Sequence, residues 1–212
     1  MARAFRRKGA RFVARLDAGE REVVVSLLEQ THRFLAPEPH EPTGDPFDDL
    51  VARLGLPRLK DIEDTADPYD TADMADGADD APAEPRDPAL DRLLPSAHRD
   101  DPGLSAEFRR LTEHGLREGK AANLAIAISA LLGADGDKVR LDQEQAQAMV
   151  IALTDVRLLL GERLGLHSDE DADALQDRLE AASEDDPQLY LAASYDFLTW
   201  LQESLIQALM DV

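Results

Sequence analysis

The sequence predicts a mainly α fold: a helical bundle carrying a small antiparallel β-hairpin near its N-terminus, with room for three short strands, and a disordered acidic linker. Three observations lead there. Apolar residues recur at helical spacing through most of the C-terminal half. A short block near the N-terminus alternates with period two instead. Between them lies an aspartate run too poor in apolar residues to offset the entropy of ordering it.

The hairpin is read from Phe5-Arg6-Arg7 and from residues 11–16, flanking a turn expected at Lys8-Gly9. Phe12, Ala14 and Leu16 share one face of the second strand; Arg11, Val13 and Arg15 share the other. A helix follows. Asp17 and Glu20 have the spacing of a capping box, in which the first carboxylate accepts orphan amides and the second reaches back. Val24, Leu27, Leu28 and Leu35 give this helix its apolar side, and it ends before Pro37.

Short helices are expected over 45–54 and 87–94, each opened by Asp-Pro. A long one is expected over about 105–132, with Phe108, Leu111, Leu124, Ile128 and Leu131 buried. Its Gly115, Gly119 and Ala122 form a strip of small residues where another helix has space to approach. Val139-Arg140-Leu141-Asp142 then repeats the pattern of Ala14-Arg15-Leu16-Asp17, with Gln145 in the place of Glu20. Residues 138–141 are therefore read as a third strand. The helix after it carries Ala146, Met149, Val150, Leu153, Leu160 and Leu164 on one stripe and ends at Gly165. Ser168 and Asp171 cap a helix over 168–182. Asp186-Pro187 opens the last one, which runs to Met210 around Tyr195, Leu198, Leu201, Leu205 and Leu209.

The organisation that follows has three parts. Residues 1–60 hold the hairpin and its helix, 61–86 form the acidic linker, and 87–212 supply the bundle that completes the same domain. Seven aspartates recur every third residue from Asp61 to Asp79, a spacing that spirals round a helix instead of lining one face.

Composition excludes several functions. With 44 acids against 23 bases the formal net charge is −21, which disfavours non-specific duplex binding by the molecule as a whole. The absence of cysteine removes disulfides, thiolate zinc sites, thiol nucleophiles and cysteine redox switching. The longest uncharged stretch, residues 121–134, is 14 residues long, short of the ~18 a membrane span needs. No signal-peptide core follows the basic start, so a cytoplasmic location is expected.

No catalytic, cofactor-binding or metal-ligating residue is nominated. Glu29-x-x-His32 has di-iron spacing but no second Glu-x-x-His accompanies it. The aspartate run lacks the ligand alternation of an EF-hand loop. Gly115-x-x-x-Gly119-Lys120 is one residue short of a phosphate loop and falls inside a helix. No nucleophile elbow, dinucleotide fingerprint or zinc-protease motif occurs, so the chain is read as non-enzymatic.

Charge segregation is more informative. Residues 1–16 carry six bases and no acid, while 61–91 carry twelve acids against Arg86 alone. Arg6, Arg7, Lys8 and Arg11 surround the hairpin turn and form the candidate interaction site. They suit phosphate or an acidic protein surface, unless they only protect an edge strand from aggregation. The linker carries the charge to compete for the same bases. Arg157, inside an apolar helix, is expected to form a structural ion pair or anchor a loop. Trp200 is expected in the core, with an interface anchor as the alternative.

Residues 5–28 with Leu16-Asp17-x-x-Glu20, then Val139-Arg140-Leu141-Asp142 with the run 153–161, and Trp200-Leu201-Gln202-Glu203-x-Leu205 resemble a small actinobacterial family of unknown function. The resemblance covers most of the chain outside the linker, and the alanine, arginine and aspartate bias suits such a genome. It implies a gene beside that of a Clp protease adaptor. It also implies relatives that regulate oxidative-stress transcription with an extracytoplasmic-function sigma factor, a role tied to a cysteine pair that this chain lacks. The expected function is thus a cytosolic regulator acting through protein contacts, with a sigma factor or RNA polymerase as partner. A Clp-type proteolysis accessory factor and a carboxylate enzyme are the alternatives. Direct DNA binding is disfavoured by charge, no membrane is involved, and a homodimer is compatible with the sequence.

Overall fold

The computed structural model describes residues 1–36, 87–95, 102–183 and 186–211, of which 102–111 are described by their backbone. The expected helix over 45–54 and the linker over 61–86 lie outside the described residues, as do the side chains of Phe108 and Leu111. The elements, in order, are β1 (Arg3–Lys8), β2 (Arg11–Arg15), α1 (Ala18–Leu35), α2 (Pro88–Leu93), α3 (Pro102–Leu132), β3 (Lys138–Leu141), α4 (Gln143–Leu164), α5 (Asp169–Ala181) and α6 (Pro187–Met210).

The chain divides into two compact units. The first comprises Met1–Ala36, Pro88–Pro95 and Arg117–Val212; the second comprises Pro37–Asp87 and Ser96–Leu116. Of the second, the described residues are Asp87 and helical residues 102–116.

The sheet of the first unit has the order β1-β2-β3 with both pairings antiparallel. Lys8 pairs with Arg11, so the two-residue loop is Gly9-Ala10, one residue later than the expected Lys8-Gly9. The reason is backbone handedness. Gly9 takes φ +63° and occupies the first loop position, the glycine preference of a type II′ turn, which matches the strand twist. β3 adds to β2 with Phe12 opposite Leu141 and Arg15 opposite Lys138.

The predicted caps form. Asp17 Oδ1 accepts from the Glu20 amide at 3.0 Å and Glu20 returns to the Asp17 amide at 2.9 Å. Asp142 and Gln145 do the same at 2.9 and 3.1 Å, and Ser168 with Asp171 completes a third box. The amide of Glu20 chiefly, and the side chain of Ser168 chiefly, hold the Asp17 and Asp171 carboxyls below the ordinary range. Gly165 closes α4 at φ +73°.

The main core draws on the sheet and on every described helix of this unit except α5. Phe5, Phe12, Ala14, Val139 and Leu141 come from the sheet, Val24 and Leu28 from α1, Leu124 and Leu131 from α3. Met149, Leu153, Leu198, Leu201 and Leu205 join them where α4 packs along α6. Each such side chain contributes about 1.5–3 kcal/mol by leaving water. The β1 edge is closed by α6: the Phe5 amide donates to the buried Ser204 hydroxyl at 3.1 Å. A smaller cluster of Leu164, Leu175 and Ala192 holds α5.

Two expectations about side chains are corrected. Gly119 and Ala122 are exposed, and a Cβ at Gly119 would meet no atom within 4 Å, so no helix among the described residues packs on the strip there. The packed face of α3 is the opposite one, carrying Leu124, Ala127 and Leu131. Trp200 is 38% exposed and stacks on Phe197 with ring centres 5.8 Å apart. It stands about 100° round the helix from Leu201, which takes the core position.

Candidate interaction surface

The outer face of the sheet is built by alternation. Phe12 and Ala14 point inward on β2, which turns Arg11, Val13 and Arg15 outward. Val139 and Leu141 do the same on β3, leaving Lys138 and Arg140 outside. On β1, Phe5 is buried while Arg6 and Lys8 are exposed. An extra residue between Arg3 and Arg6 shifts the register, so Arg3 lies opposite Arg15, as Arg6 lies opposite Val13. Without that bulge, Arg3 would fall on the face of Phe5.

The result is a grid. Lys8 faces Arg11; Arg6, Val13 and Arg140 form the next row; Arg3, Arg15 and Lys138 form the third. Neighbours across strands are about 4.5–5.5 Å apart at Cα. Seven cations therefore surround one valine. Two are matched locally: Arg11 pairs with Asp142 at 3.3 Å and Arg140 with Asp135 at 3.5 Å. Arg3, Arg6, Lys8, Arg15 and Lys138 have no acidic partner among the described residues, and with Val13 they line a cleft of about 560 Å³.

Like charges placed directly opposite destabilise a sheet by up to about 1 kcal/mol per pair. The row Arg3–Arg15–Lys138 accepts that cost twice. Protection of edges against aggregation accounts for bases on β1 and β3. It does not account for Arg15, which sits on the central strand.

The four bases singled out from the sequence separate in space. Arg6 and Lys8 belong to the face. Arg11 lies at its rim, tied to the N-cap carboxylate of α4. Arg7 leaves it: its guanidinium bonds the Asp211 carbonyl at the end of α6 and the Gly9 carbonyl at 3.3 Å, a cation at a helix C-terminus. Arg3, Arg15, Lys138 and Arg140 were not singled out. Alternation marked Arg15 as outward, but the bulge and the β3 register that bring Arg3 and the β3 bases beside it have no local signal.

Arg157 does not make the expected ion pair among the described residues. It donates to Gln202 Oε1 at 2.6 Å and to the Tyr195 hydroxyl at 3.3 Å, and lies 5.1 Å from the Tyr195 ring centre. Gln202 is itself held by the Val150 carbonyl and Thr154. The buried ion pair of the bundle is Lys120–Asp155 at 2.5 Å, with the Asp155 side chain 2% exposed. Burial pushes this carboxyl above its ordinary value against the pull of Lys120.

Among the described residues no three histidine, aspartate or glutamate side chains converge as a metal-ligating group, and no helix is long and apolar enough to cross a membrane.

These features define a mainly helical protein whose small antiparallel sheet presents a basic face. The family described as Domain of unknown function (DUF2017) matches residues 2–209, and the chain belongs to it. No curated protein and no solved structure matches the chain.

Proposed function

We propose that this protein is a non-enzymatic, cytoplasmic regulator that works by protein–protein contact, holding an acidic surface of its partner on the outer face of the sheet. One observation carries the reading: five cations without acidic partners among the described residues share one small face of a chain whose net charge is −21. The face attracts a compact anionic patch at short range, while the excess of acids elsewhere repels a long polyanion such as duplex DNA. The sequence resemblance supplies the partner class, a sigma factor or RNA polymerase, and actinobacterial oxidative-stress regulation as the setting. Without cysteine, any signal reaches this chain by a route other than thiol oxidation.

The test is binding of the full chain to purified RNA polymerase and an extracytoplasmic-function sigma factor, with a Clp chaperone and duplex DNA alongside. A variant with Arg3, Arg6, Lys8, Arg15 and Lys138 replaced by alanine is run in parallel. The expected result is binding to the transcription protein that weakens with salt and is lost in the variant. Binding to the Clp chaperone instead would move the protein to regulated proteolysis. Tight DNA binding, or partner binding unchanged in the variant, would overturn the proposal.

A further inference from the structure

A second, separate place in this unit carries unmatched charge. Between α2, α4 and α6 lies a cavity of about 140 Å³, lined by Arg92, Thr154, Arg157, Leu166 and Tyr195. Arg92 is neutralised: its guanidinium meets Glu162 at 3.3 Å and the Leu166 carbonyl at 2.9 Å. Arg157 is not. Among the described residues its hydrogen-bond partners, Gln202 and Tyr195, are neutral, and its buried Nε has no acceptor. A half-buried charge is costly when nothing of opposite sign stands near it. A lysine relieves that cost by losing its proton; a guanidinium does not.

Tyr195 points the same way. Its hydroxyl oxygen accepts from Arg157, and its own proton has no acceptor among the described residues. The cavity thus presents a fixed cation and a free hydroxyl donor on one wall. Its volume holds about four or five water-sized groups at ~30 Å³ each, the size of inorganic phosphate or a short carboxylate.

We infer that this cavity is a binding site for a small oxyanion, a phosphate or carboxylate group, held by the Arg157 guanidinium and the Tyr195 hydroxyl. Occupancy locks α4 to α6 through Arg157 and Gln202, so the ligand raises the stability of the bundle that carries the sheet. The site lies on different elements from the basic face and does not depend on the function proposed for that face.

The experiment titrates the full chain with sodium phosphate, and separately with sodium acetate, against sodium chloride at equal ionic strength. Calorimetric binding and the melting temperature are followed. Saturable binding of phosphate or acetate with a rising melting temperature is expected, and which probe binds assigns the ligand group. Arg157→Met should weaken it by about tenfold or more, the worth of a charge-assisted hydrogen bond. Tyr195→Phe keeps the ring and the packing and should weaken it several-fold, which secures the test if Arg157→Met fails to fold. The five-alanine sheet variant should bind as the parent does. No effect beyond chloride, unchanged binding in Tyr195→Phe, or loss confined to the sheet variant would each overturn the assignment.

Discussion

Replacing Lys120 by methionine keeps an unbranched side chain one atom shorter and removes the ammonium that faces Asp155 at 2.5 Å. Among the described residues the Asp155 carboxylate is then left with no cation, and its Oδ2 already lacks a hydrogen-bond partner. It has two choices near neutral pH. Staying ionised costs about 3–5 kcal/mol, the usual penalty for breaking a buried pair. Taking a proton costs about 1.36 kcal/mol for each pH unit above its ordinary value of 3.8, or roughly 4 kcal/mol near pH 7. The cheaper route sets the loss, so Lys120→Met should destabilise the protein by about 3–4 kcal/mol near pH 7. Near pH 4 the proton is almost free, and only the lost hydrogen bond remains, about 1 kcal/mol. The sign follows from the direction of the shift. A carboxyl whose folded pKa is raised favours folding on the acid side and loses that contribution as pH rises through it. Urea unfolding of parent and variant, compared at each pH, reads the difference directly. Equal losses at the two pH values would refute the argument. Lys120→Met combined with Asp155→Leu should recover most of the stability, because the stranded charge is gone.

Leu153→Ala, at a fully buried position between α4 and α6, should cost about 2–5 kcal/mol in urea unfolding. Asp142→Ala removes the cap of α4 and should cost about 1 kcal/mol, while Asp142→Asn should cost much less. Gly165→Ala forces an alanine to φ +73° and should lower stability by about 1–2 kcal/mol although no atom crowds the new Cβ. The lowered carboxyls of Asp17 and Asp171 favour folding above the ordinary carboxylate value and lose that contribution as pH falls from there through their lowered folded values. Asp17→Asn should therefore flatten the acid limb of the melting-temperature profile while keeping the cap.

Much of the secondary structure was legible because its signals are local. Three capping boxes span four residues each, and the start of α6 follows from Asp186-Pro187. The hairpin alternation put Phe12, Ala14 and Leu16 inside, where they are buried. Side-chain partners were harder to read. Arg157 in an apolar helix implied an acid nearby, yet Gln202, forty-five residues on, is what it meets. Trp200 fits a core by chemistry, and only its angle on α6 places it outside.

The candidate site shows the division most plainly. Arg6 and Lys8 were visible in a block of bases, but so were Arg7 and Arg11, and no local rule separates them. A bulge in β1 turned Arg3 outward, and β3, more than a hundred residues downstream, set Lys138 beside Arg15. Spacing and side-chain size within a few residues dictate helices, caps and strand faces, so the chain itself determined those. Which charges stand together depends on strand register and on which helix end lies within reach, and both arise only when distant segments pack.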